Sequence, residues 1–289
     1  MSPENNKNKT IRNLISVARD ELNKSGAGEG NIDAQIFMMK AVNMDKTGIL
    51  INPDYELTEE QLACFRTMVE KRKSGIPSQY IVGKCEFMGY DFFVDENVLI
   101  PRADTEVLVE KVLEFSAEKK FKNILDMCTG SGCIAISLVL NGVEKAVGAD
   151  ISQGALNIAE KNAEYNDVKN KTEFIHSDLF ENIEGFFDAI VSNPPYIPNE
   201  DIKSLMREVK DHEPLSALDG GDDGLDFYRE ITKQSRKYLK DGGMLFYEIG
   251  YNQSEDLHKI MEENGFEKVT TVKDYAGLDR VVFGTKTER

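Results

Sequence analysis

The sequence predicts an α/β protein in which a small all-helical domain and a β-hairpin precede a mixed seven-stranded sheet. Three observations lead to this fold class. Beyond residue 105, segments with helical spacing alternate with short apolar runs, which is typical of a parallel sheet with helices on both faces. The last two apolar runs have no helix between them, so they predict an antiparallel pair at one edge. Before residue 84, the apolar residues have helical spacing.

The first 84 residues are predicted to form a helical domain. Thr58 and Gln61 form a capping-box pattern at the start of its third helix, since their side chains can satisfy free N–H groups of the first turn. Apolar residues recur at helical spacing over three segments, 10–24, 33–42 and 58–73.

The pattern then changes from helix to strand. The apolar residues of segment 85–100 predict a short β-hairpin, which Pro101 ends. In the α/β part, helices are expected over 105–117, 132–140, 153–165 and 225–239. Strands are expected over 123–127, 145–150, 172–176, 188–192, 244–249, 268–273 and 280–285. We therefore expect three parts, a helical domain (1–84), a hairpin linker (85–101) and an α/β domain (102–289).

Composition narrows the class of protein. Of the 289 residues, 40% are hydrophobic, which is enough for a core. No run approaches the roughly 20 apolar residues that span a bilayer, and residues 1–9 lack the apolar centre of a signal peptide, so we expect a cytoplasmic protein without membrane contact. The four cysteines and three histidines form no closely spaced ligand pairs, so we expect no metal site.

Charge is distributed unevenly along the chain. Residues 1–84 carry 12 basic and 11 acidic residues, a net charge of +1, while residues 85–289 carry 23 basic and 40 acidic residues, a net charge of −17. A strong negative field repels phosphate backbones, so direct nucleic-acid binding is not expected. The negative charge could serve to bind a basic protein partner or only to keep the protein soluble, and both explanations stay open. We expect a monomer by default.

A glycine-rich turn follows the first strand of the α/β domain, in the segment from Asp126 to Gly132. Gly130 and Gly132 let a ligand approach the backbone, and the N-terminus of the following helix favours a carboxylate. Asp126 is expected to accept a hydrogen bond from an ammonium group. These features suit the amino-acid end of S-adenosylmethionine. The same glycine spacing also satisfies the dinucleotide fingerprint, so an NAD-type cofactor and a purely structural turn stay open at this point.

Three further candidate ligand contacts follow the next two strands. Asp150 ends the second strand, where a carboxylate can bind the ribose hydroxyls of either cofactor. Asp178 follows the third strand and is expected to accept from an adenine amino group, while Leu179 packs against the ring. A strand-end acid without a ligand, for Asp150, and a capping aspartate, for Asp178, are the alternatives.

The segment Asn193-Pro-Pro-Tyr196 follows the fourth parallel strand and distinguishes between these chemistries. Pro194 holds Asn193 in an extended conformation, and neither Pro194 nor Pro195 has an N–H group, so nearby carbonyls are free to accept hydrogen bonds. Two acceptors that hold both N–H groups of an amide would direct its nitrogen lone pair toward a methyl group. Tyr196 adds an aromatic face for a planar acceptor. Hydride transfer needs no such loop, so methyl transfer to an amide or amino nitrogen is favoured.

These motifs resemble those of the class I, Rossmann-like methyltransferases of the Asn-Pro-Pro-Tyr type, and over nearly the whole chain the sequence is similar to the PrmC/HemK family. The resemblance implies a methyltransferase that uses S-adenosyl-L-methionine and releases S-adenosyl-L-homocysteine. It further implies that the acceptor is the glutamine of the Gly-Gly-Gln motif in class I peptide chain release factors, so that the reaction supports translation termination. The resemblance rests on segments 75–83, 98–106, 125–132, 193–196, 213–218, 220–226 and 248–253.

The resemblance also implies roles for individual residues. The helical domain would dock the release factor, and Asn193, Pro194 and Tyr196 would be catalytic. The acceptor glutamine would be held by Asn193, Pro194, Pro195 and Tyr196. The cofactor would be held by Cys128, Thr129, Gly130, Ser131, Gly132, Asp150, Leu179 and Asn193, together with the Asp126 and Asp178 contacts described above.

Two residues depart from the family pattern. Cys128 stands where the family usually has glycine, and we expect the loop to tolerate it provided that its φ suits a residue with a Cβ. Ala103 stands where the family usually has proline, and we expect it to loosen slightly the segment before the helix at residue 105.

Three alternative functions stay open. A related enzyme methylates a glutamine of a large-subunit ribosomal protein, but segment 101–106 favours the release-factor enzyme. An adenine methyltransferase shares the Asn-Pro-Pro-Tyr loop, although the net charge of −17 and the lack of a basic domain count against nucleic acid as the substrate. The third alternative is a non-catalytic module that binds S-adenosylmethionine or another protein. Cofactor binding would not exclude it, whereas measured enzymatic turnover would.

Overall fold

The computed structural model describes residues 9–26 and 28–287. These residues form two compact units. The first comprises the chain up to Gly83 together with the segment Arg207–His212. The second comprises Lys84–Met206 and the chain from Glu213 onward. The hairpin therefore lies within the second unit, and six residues that the sequence analysis assigned to the α/β domain lie within the first.

The first unit is helical, as predicted, although only three of its helices could be predicted from the sequence. The Thr58 capping box is confirmed, because the Thr58 side chain accepts from the Gln61 backbone and the Gln61 side chain accepts from Thr58. Helix α2 begins three residues earlier than predicted, and α3 and α5 were not predicted. The helices are α1 (Ile11–Ser25), α2 (Gly30–Val42), α3 (Lys46–Ile51), α4 (Glu59–Lys73) and α5 (Ser78–Val82).

A buried arginine fastens the later segment to this unit. Arg72 of α4 is 4% exposed, and its Nε lies 2.7 Å from Oδ2 of Asp33 in α2. Its Nη1 lies 2.7 Å from Oε2 of Glu208, which belongs to a short helix at Arg207–Lys210. A buried charge with two carboxylate partners is strongly favoured over an unpaired one, so this arginine accounts for the place of Glu208 in the helical unit.

The β-hairpin is shorter than predicted. Strands β1 (Lys84–Phe87) and β2 (Tyr90–Phe93) pair antiparallel around a turn at Met88 and Gly89, where both φ values are positive. The prediction that strand structure extends to residue 100 is wrong. Val98 and Ile100 are buried in an irregular segment, so their apolar character reflects burial without strand pairing.

The second unit is built on the predicted mixed sheet of seven strands. Their order is β5-β4-β3-β6-β7-β9-β8, and β9 is antiparallel to both of its neighbours. From β3 the chain proceeds outward through β4 and β5, then returns to the other side of β3 with β6, which makes the carboxyl ends of β3 and β6 a topological switch point. The strands are β3 (Asn123–Met127), β4 (Lys145–Asp150), β5 (Thr172–His176), β6 (Phe187–Ser192), β7 (Leu239–Glu248), β8 (Phe266–Lys273) and β9 (Asp279–Lys286).

Helices cover both faces of the sheet. Ile124 and Leu125 are adjacent in β3 and point into two separate apolar clusters, one with α6 and α7 and the other with α9 and α10. The predicted helix 225–239 is too long, because Leu239 already pairs with Phe187 as part of β7. Helix α10 was not predicted and buries only Leu257 and Met261. The helices are α6 (Ala103–Lys119), α7 (Cys133–Leu140), α8 (Gln153–Tyr165), α9 (Asp226–Ser235) and α10 (Ser254–Glu263).

Among residues 9–26 and 28–287, no helix combines the length and the apolar character that a transmembrane span requires.

Candidate active site

A cavity of about 360 Å³ opens at the carboxyl ends of β3, β4 and β6. This volume lies within the range of small-molecule sites, and the switch point of a doubly wound sheet is where such sites form. Of the predicted site residues, nine contribute to its wall: Cys128, Thr129, Gly130, Ser131, Asp150, Asp178, Leu179, Asn193 and Pro195. The structure therefore brings most of the predicted cofactor contacts together with part of the predicted acceptor site.

The cofactor loop, residues 128–132, has an unusual backbone. Cys128, Gly130 and Gly132 have φ values of +62°, +55° and +77°. A glycine adopts this left-handed region freely, but a side chain costs about 1–2 kcal/mol there. The expected condition on Cys128, a φ that suits a Cβ, is therefore not met. The position takes the backbone that suits the usual glycine, and the cysteine occupies it at a cost.

Asp126 lies beneath the cofactor loop, not on the cavity wall. Its Oδ2 accepts from Oγ1 of Thr129 at 2.6 Å and from the backbone N of Ala135 at 3.1 Å, so it ties the loop to α7. Its Oδ1 is buried and has no hydrogen-bond partner among the described residues. Burial raises the pKa of Asp126 to about 7. The structure thus assigns it an ordering role, and its contact with a ligand ammonium group stays a prediction.

Asp150 and Leu179 form the neighbouring part of the wall. Asp150 accepts from the backbone N of Gly130 and of Ser152, each at 2.9 Å, and burial raises its pKa. Leu179 has a φ of +47°, and its carbonyl accepts from Oγ of Ser177 at 2.7 Å. A left-handed leucine is rare, and strained residues of this kind concentrate at ligand sites.

The acceptor loop, residues 193–196, is only partly on the cavity wall. Asn193 and Pro195 line the cavity, whereas Pro194 is buried and Tyr196 packs partly buried against the apolar core. The Tyr196 carbonyl accepts from Nε2 of Gln253 at 3.0 Å, which fixes the end of the loop. Burial raises the pKa of the Tyr196 hydroxyl, so it stays neutral. The expected contact of its ring with a planar acceptor stays a prediction.

Two polar residues near Asn193 were not assigned roles by the sequence analysis. Thr105 in the first turn of α6 lines the cavity and is 3% exposed, and its Oγ1 accepts from Nδ2 of Asn193 at 3.3 Å. Glu248 at the end of β7 is 2% exposed. Burial raises its pKa to about 7, and hydrogen bonding from Thr105 and Asn193 opposes that rise. Both lie in segments that carry the family resemblance, which is the one signal that pointed to them.

Comparison with protein families matches two parts of the chain. Residues 13–83 match the PrmC N-terminal domain, and residues 103–210 match the methyltransferase small domain. The second match contains the cofactor loop and the acceptor loop.

Individual relatives match over most of the chain. The release factor glutamine methyltransferase of Clostridium acetobutylicum is 42% identical over 258 residues, covering 88% of this chain and 90% of that protein. The enzyme of the same description from Clostridium botulinum is 41% identical over 281 residues, covering 96% and 99%. Among solved structures, the 16S rRNA N2 G1207 methyltransferase of T. thermophilus, in complex with AdoMet and guanosine, superposes with a TM-score of 0.50 at 19% identity. That match covers 70% of this chain and 49% of the other and indicates a shared fold.

Proposed function

The chain belongs to the release factor glutamine methyltransferase family, and from this premise we propose the reaction that it catalyses. It transfers a methyl group from S-adenosyl-L-methionine to the side-chain amide nitrogen of the glutamine in the Gly-Gly-Gln motif of class I peptide chain release factors. The products are the N-methylated glutamine and S-adenosyl-L-homocysteine. The observation that carries the proposal is the single cavity that joins the cofactor loop to Asn193 and Pro195.

The residues of the cavity fit S-adenosyl-L-methionine. The cofactor loop leads into the N-terminus of α7, whose positive end favours the methionine carboxylate. Asp150 is at the end of β4, where a carboxylate suits ribose hydroxyls, and Asp178 and Leu179 suit an adenine amino group and its ring. When bound, the cofactor supplies an electrophilic methyl group on a sulfonium.

The protein's own contribution is to position and polarise a weak nucleophile. The lone pair of an amide nitrogen is delocalised into the carbonyl, so the nitrogen attacks only when that delocalisation is reduced. Oδ1 of Asn193 and a carbonyl of the proline pair accept the two N–H groups and direct the lone pair toward the methyl group. Their fixed dipoles stabilise the positive charge that develops on nitrogen. The methylated nitrogen then releases its proton readily, so no strong base is required.

The proposed division of labour follows the three parts predicted from the sequence. In the proposed arrangement, residues 1–84 dock the release factor, 85–101 connect, and 102–289 carry out the transfer. The near-neutral charge of residues 1–84, beside −17 for the remainder, supports a protein partner for the helical part and disfavours direct contact with nucleic acid. We propose that the protein acts as a monomer in the cytoplasm, where translation termination takes place.

Mass spectrometry of a purified class I release factor tests the proposal. After incubation with this protein and S-adenosyl-L-methionine, we expect the gain of one methyl group, located on the Gly-Gly-Gln glutamine by fragmentation. Two controls accompany it, a release factor with that glutamine changed to alanine and the N193A enzyme variant.

Three outcomes reject all or part of this function. Methylation of the alanine-substituted release factor would reject the assigned acceptor. No methylation of the native factor, with cofactor binding demonstrated by calorimetry, would reject the substrate. If the native factor is not methylated, methylation of a glutamine in large-subunit ribosomal proteins, supplied in place of the release factor, would identify the related enzyme activity.

A further inference from the structure

A short series of polar side chains supports the acceptor loop from beneath. Asn193 donates from Nδ2 to Oγ1 of Thr105 at 3.3 Å, and interaction with the same pair lowers the pKa of the Glu248 carboxylate against the larger effect of burial. Thr105 and Glu248 are almost completely buried. Polar groups are expensive to bury, so a series that ends in a buried carboxylate requires an explanation.

Three elements of the second unit bring these side chains together. Ser192 pairs with Tyr247 in the parallel register of β6 and β7, so Asn193 and Glu248 follow at adjacent strand ends. Thr105 comes from the first turn of α6. The arrangement therefore depends on the same strand ends that form the cavity.

The proton inventory fixes the direction of the hydrogen bonds. Above its pKa of about 7 the Glu248 carboxylate is ionised and only accepts, whereas a hydroxyl has one proton to donate and an amide presents a donor on one side and an acceptor on the other. If the single proton of Thr105 goes to Glu248, Oγ1 of Thr105 is left to accept from Asn193. The Asn193 amide is then fixed with Nδ2 toward Thr105 and Oδ1 away from it.

We propose that Thr105 and Glu248 are positioning residues that orient the Asn193 amide so that Oδ1, and not Nδ2, faces the acceptor nitrogen. Without Glu248, the Thr105 proton is free to bond Oδ1 of Asn193, and the amide turns over. It would then present a donor to the N–H groups of the substrate, which is a repulsive contact. This role rests on the proposed methylation of an amide and extends it to two residues outside the acceptor loop.

The surroundings of Glu248 argue that its burial does not serve the fold. Its Oε2 has no hydrogen-bond partner among the described residues. The nearby cation, Arg280, is already paired with Asp274 at 3.1 Å and Asp104 at 3.2 Å. A buried carboxylate that is only half satisfied costs stability, which is the pattern expected where a polar group is retained for function.

A double-mutant cycle between Glu248 and Asn193 tests the proposal. The variants are E248L, N193A and the double substitution, assayed for kcat on a purified release factor and for cofactor affinity by calorimetry. We expect E248L to lower kcat at least about tenfold in the wild-type background but less than about twofold in the N193A background, because Glu248 acts through Asn193. Cofactor affinity should change less than about threefold throughout, since E248L removes no expected cofactor contact and N193A removes only one of them.

Conservative variants separate positioning from folding. E248Q keeps an oxygen that can accept from Thr105 and should lose less turnover than E248L. If E248L does not fold, the same test can be made at Thr105, which lies between Asn193 and Glu248. T105V removes the hydroxyl and should lower kcat strongly, whereas T105S keeps the hydroxyl and should not. Equal losses from E248L in both backgrounds, or no loss in either, would overturn the positioning role. Absence of methylation by the wild-type enzyme would reject the proposed function and this inference together.

Discussion

The two loops that meet in the cavity are built by different physical means. The cofactor loop depends on its backbone, with φ values of +62°, +55° and +77° at Cys128, Gly130 and Gly132. The acceptor loop has no residue with positive φ and is held instead by its prolines and by the hydrogen bond that Asn193 donates to Thr105. Backbone N–H groups suit the cofactor, which is the same molecule in every turnover. An oriented side chain can instead select the nitrogen that accepts the methyl group.

The loops nevertheless share one device, a buried carboxylate beneath each. Asp126 supports the cofactor loop and Glu248 supports the acceptor loop. In both, burial raises the pKa to about 7 and one carboxylate oxygen has no partner among the residues described. The comparison indicates that damage to the cofactor loop should appear in cofactor affinity and stability, and damage to the acceptor loop in turnover.

The largest effect is expected from Asn193→Ala. Turnover should fall by about 10² to 10³, the scale of losing one oriented polar group at a reacting centre, while calorimetric affinity for S-adenosyl-L-methionine stays within about threefold. The affinity measurement is the control that separates the two loops. Unchanged turnover would remove Asn193 from the mechanism, and a collapse of affinity would remove the proposed separation.

The buried carboxylates should make stability depend on pH. For Glu248, a folded-state pKa of about 7 lies above the ordinary glutamate pKa of 4.5, so its contribution to stability is complete below pH 4.5 and is lost as pH rises through 7. The full loss is roughly 3 kcal/mol. Urea unfolding between pH 5 and 8 should show a shallower decline for E248Q than for the wild-type protein. D126N is the matched variant in the other loop and should do the same, and parallel curves for all three proteins would contradict the assignment.

Gly132→Ala should destabilise the cofactor loop. An added Cβ would lie 3.0 Å from the Cβ of Ala159, in addition to the cost of a φ of +77°. Gly89 is a matched control, with a φ of +78° and nothing within 4 Å of an added Cβ. We expect a loss of unfolding free energy of about 1 kcal/mol for G89A and about 2 kcal/mol or more for G132A. Only G132A should weaken cofactor binding, and equal losses would show that crowding contributes nothing.

The smallest effect is expected from Ala103→Pro. Ala103 was predicted to lie before the helix, but it is the first residue of α6. Proline is favoured at this position because the N–H group there has no partner within the helix. Arg102 before it has φ −105° and ψ 146°, which a following proline accepts. A103P should gain about 0.4–1 kcal/mol in urea unfolding with unchanged turnover, whereas A103G should lose stability. A destabilised A103P would show that the start of α6 is strained.

Most strands of the sheet were predicted to within two residues because each is a short apolar run with clear ends, but β7 begins at Leu239, five residues before the predicted start at residue 244. The bounds predicted for 123–127, 145–150 and 172–176 agree with β3, β4 and β5. Helix α10 was missed because it buries only Leu257 and Met261, which leaves a stripe too narrow to stand out among charged residues. The hairpin was extended too far because Val98 and Ile100 are buried outside any strand.

The candidate site also has one part that could be predicted from the sequence and one part that could not. The residues of the cofactor loop are adjacent in the chain, so their glycine spacing alone pointed to a ligand. The grouping of Asn193 with Thr105 and Glu248 spans 143 positions, between residues 105 and 248, and no local pattern links them. The same is true of Glu208, whose pairing with Arg72 places it in the helical unit.

The sequence by itself determined the α/β class and the family and predicted the cofactor loop and the acceptor loop, because periodicity and short motifs are properties of neighbouring residues. The tertiary structure alone decided which carboxylates are buried beneath those loops, which way the Asn193 amide is held, and that Cys128 adopts a left-handed backbone. These features depend on strand register and on the burial of distant side chains, and neither can be calculated from residues that are close only in the chain.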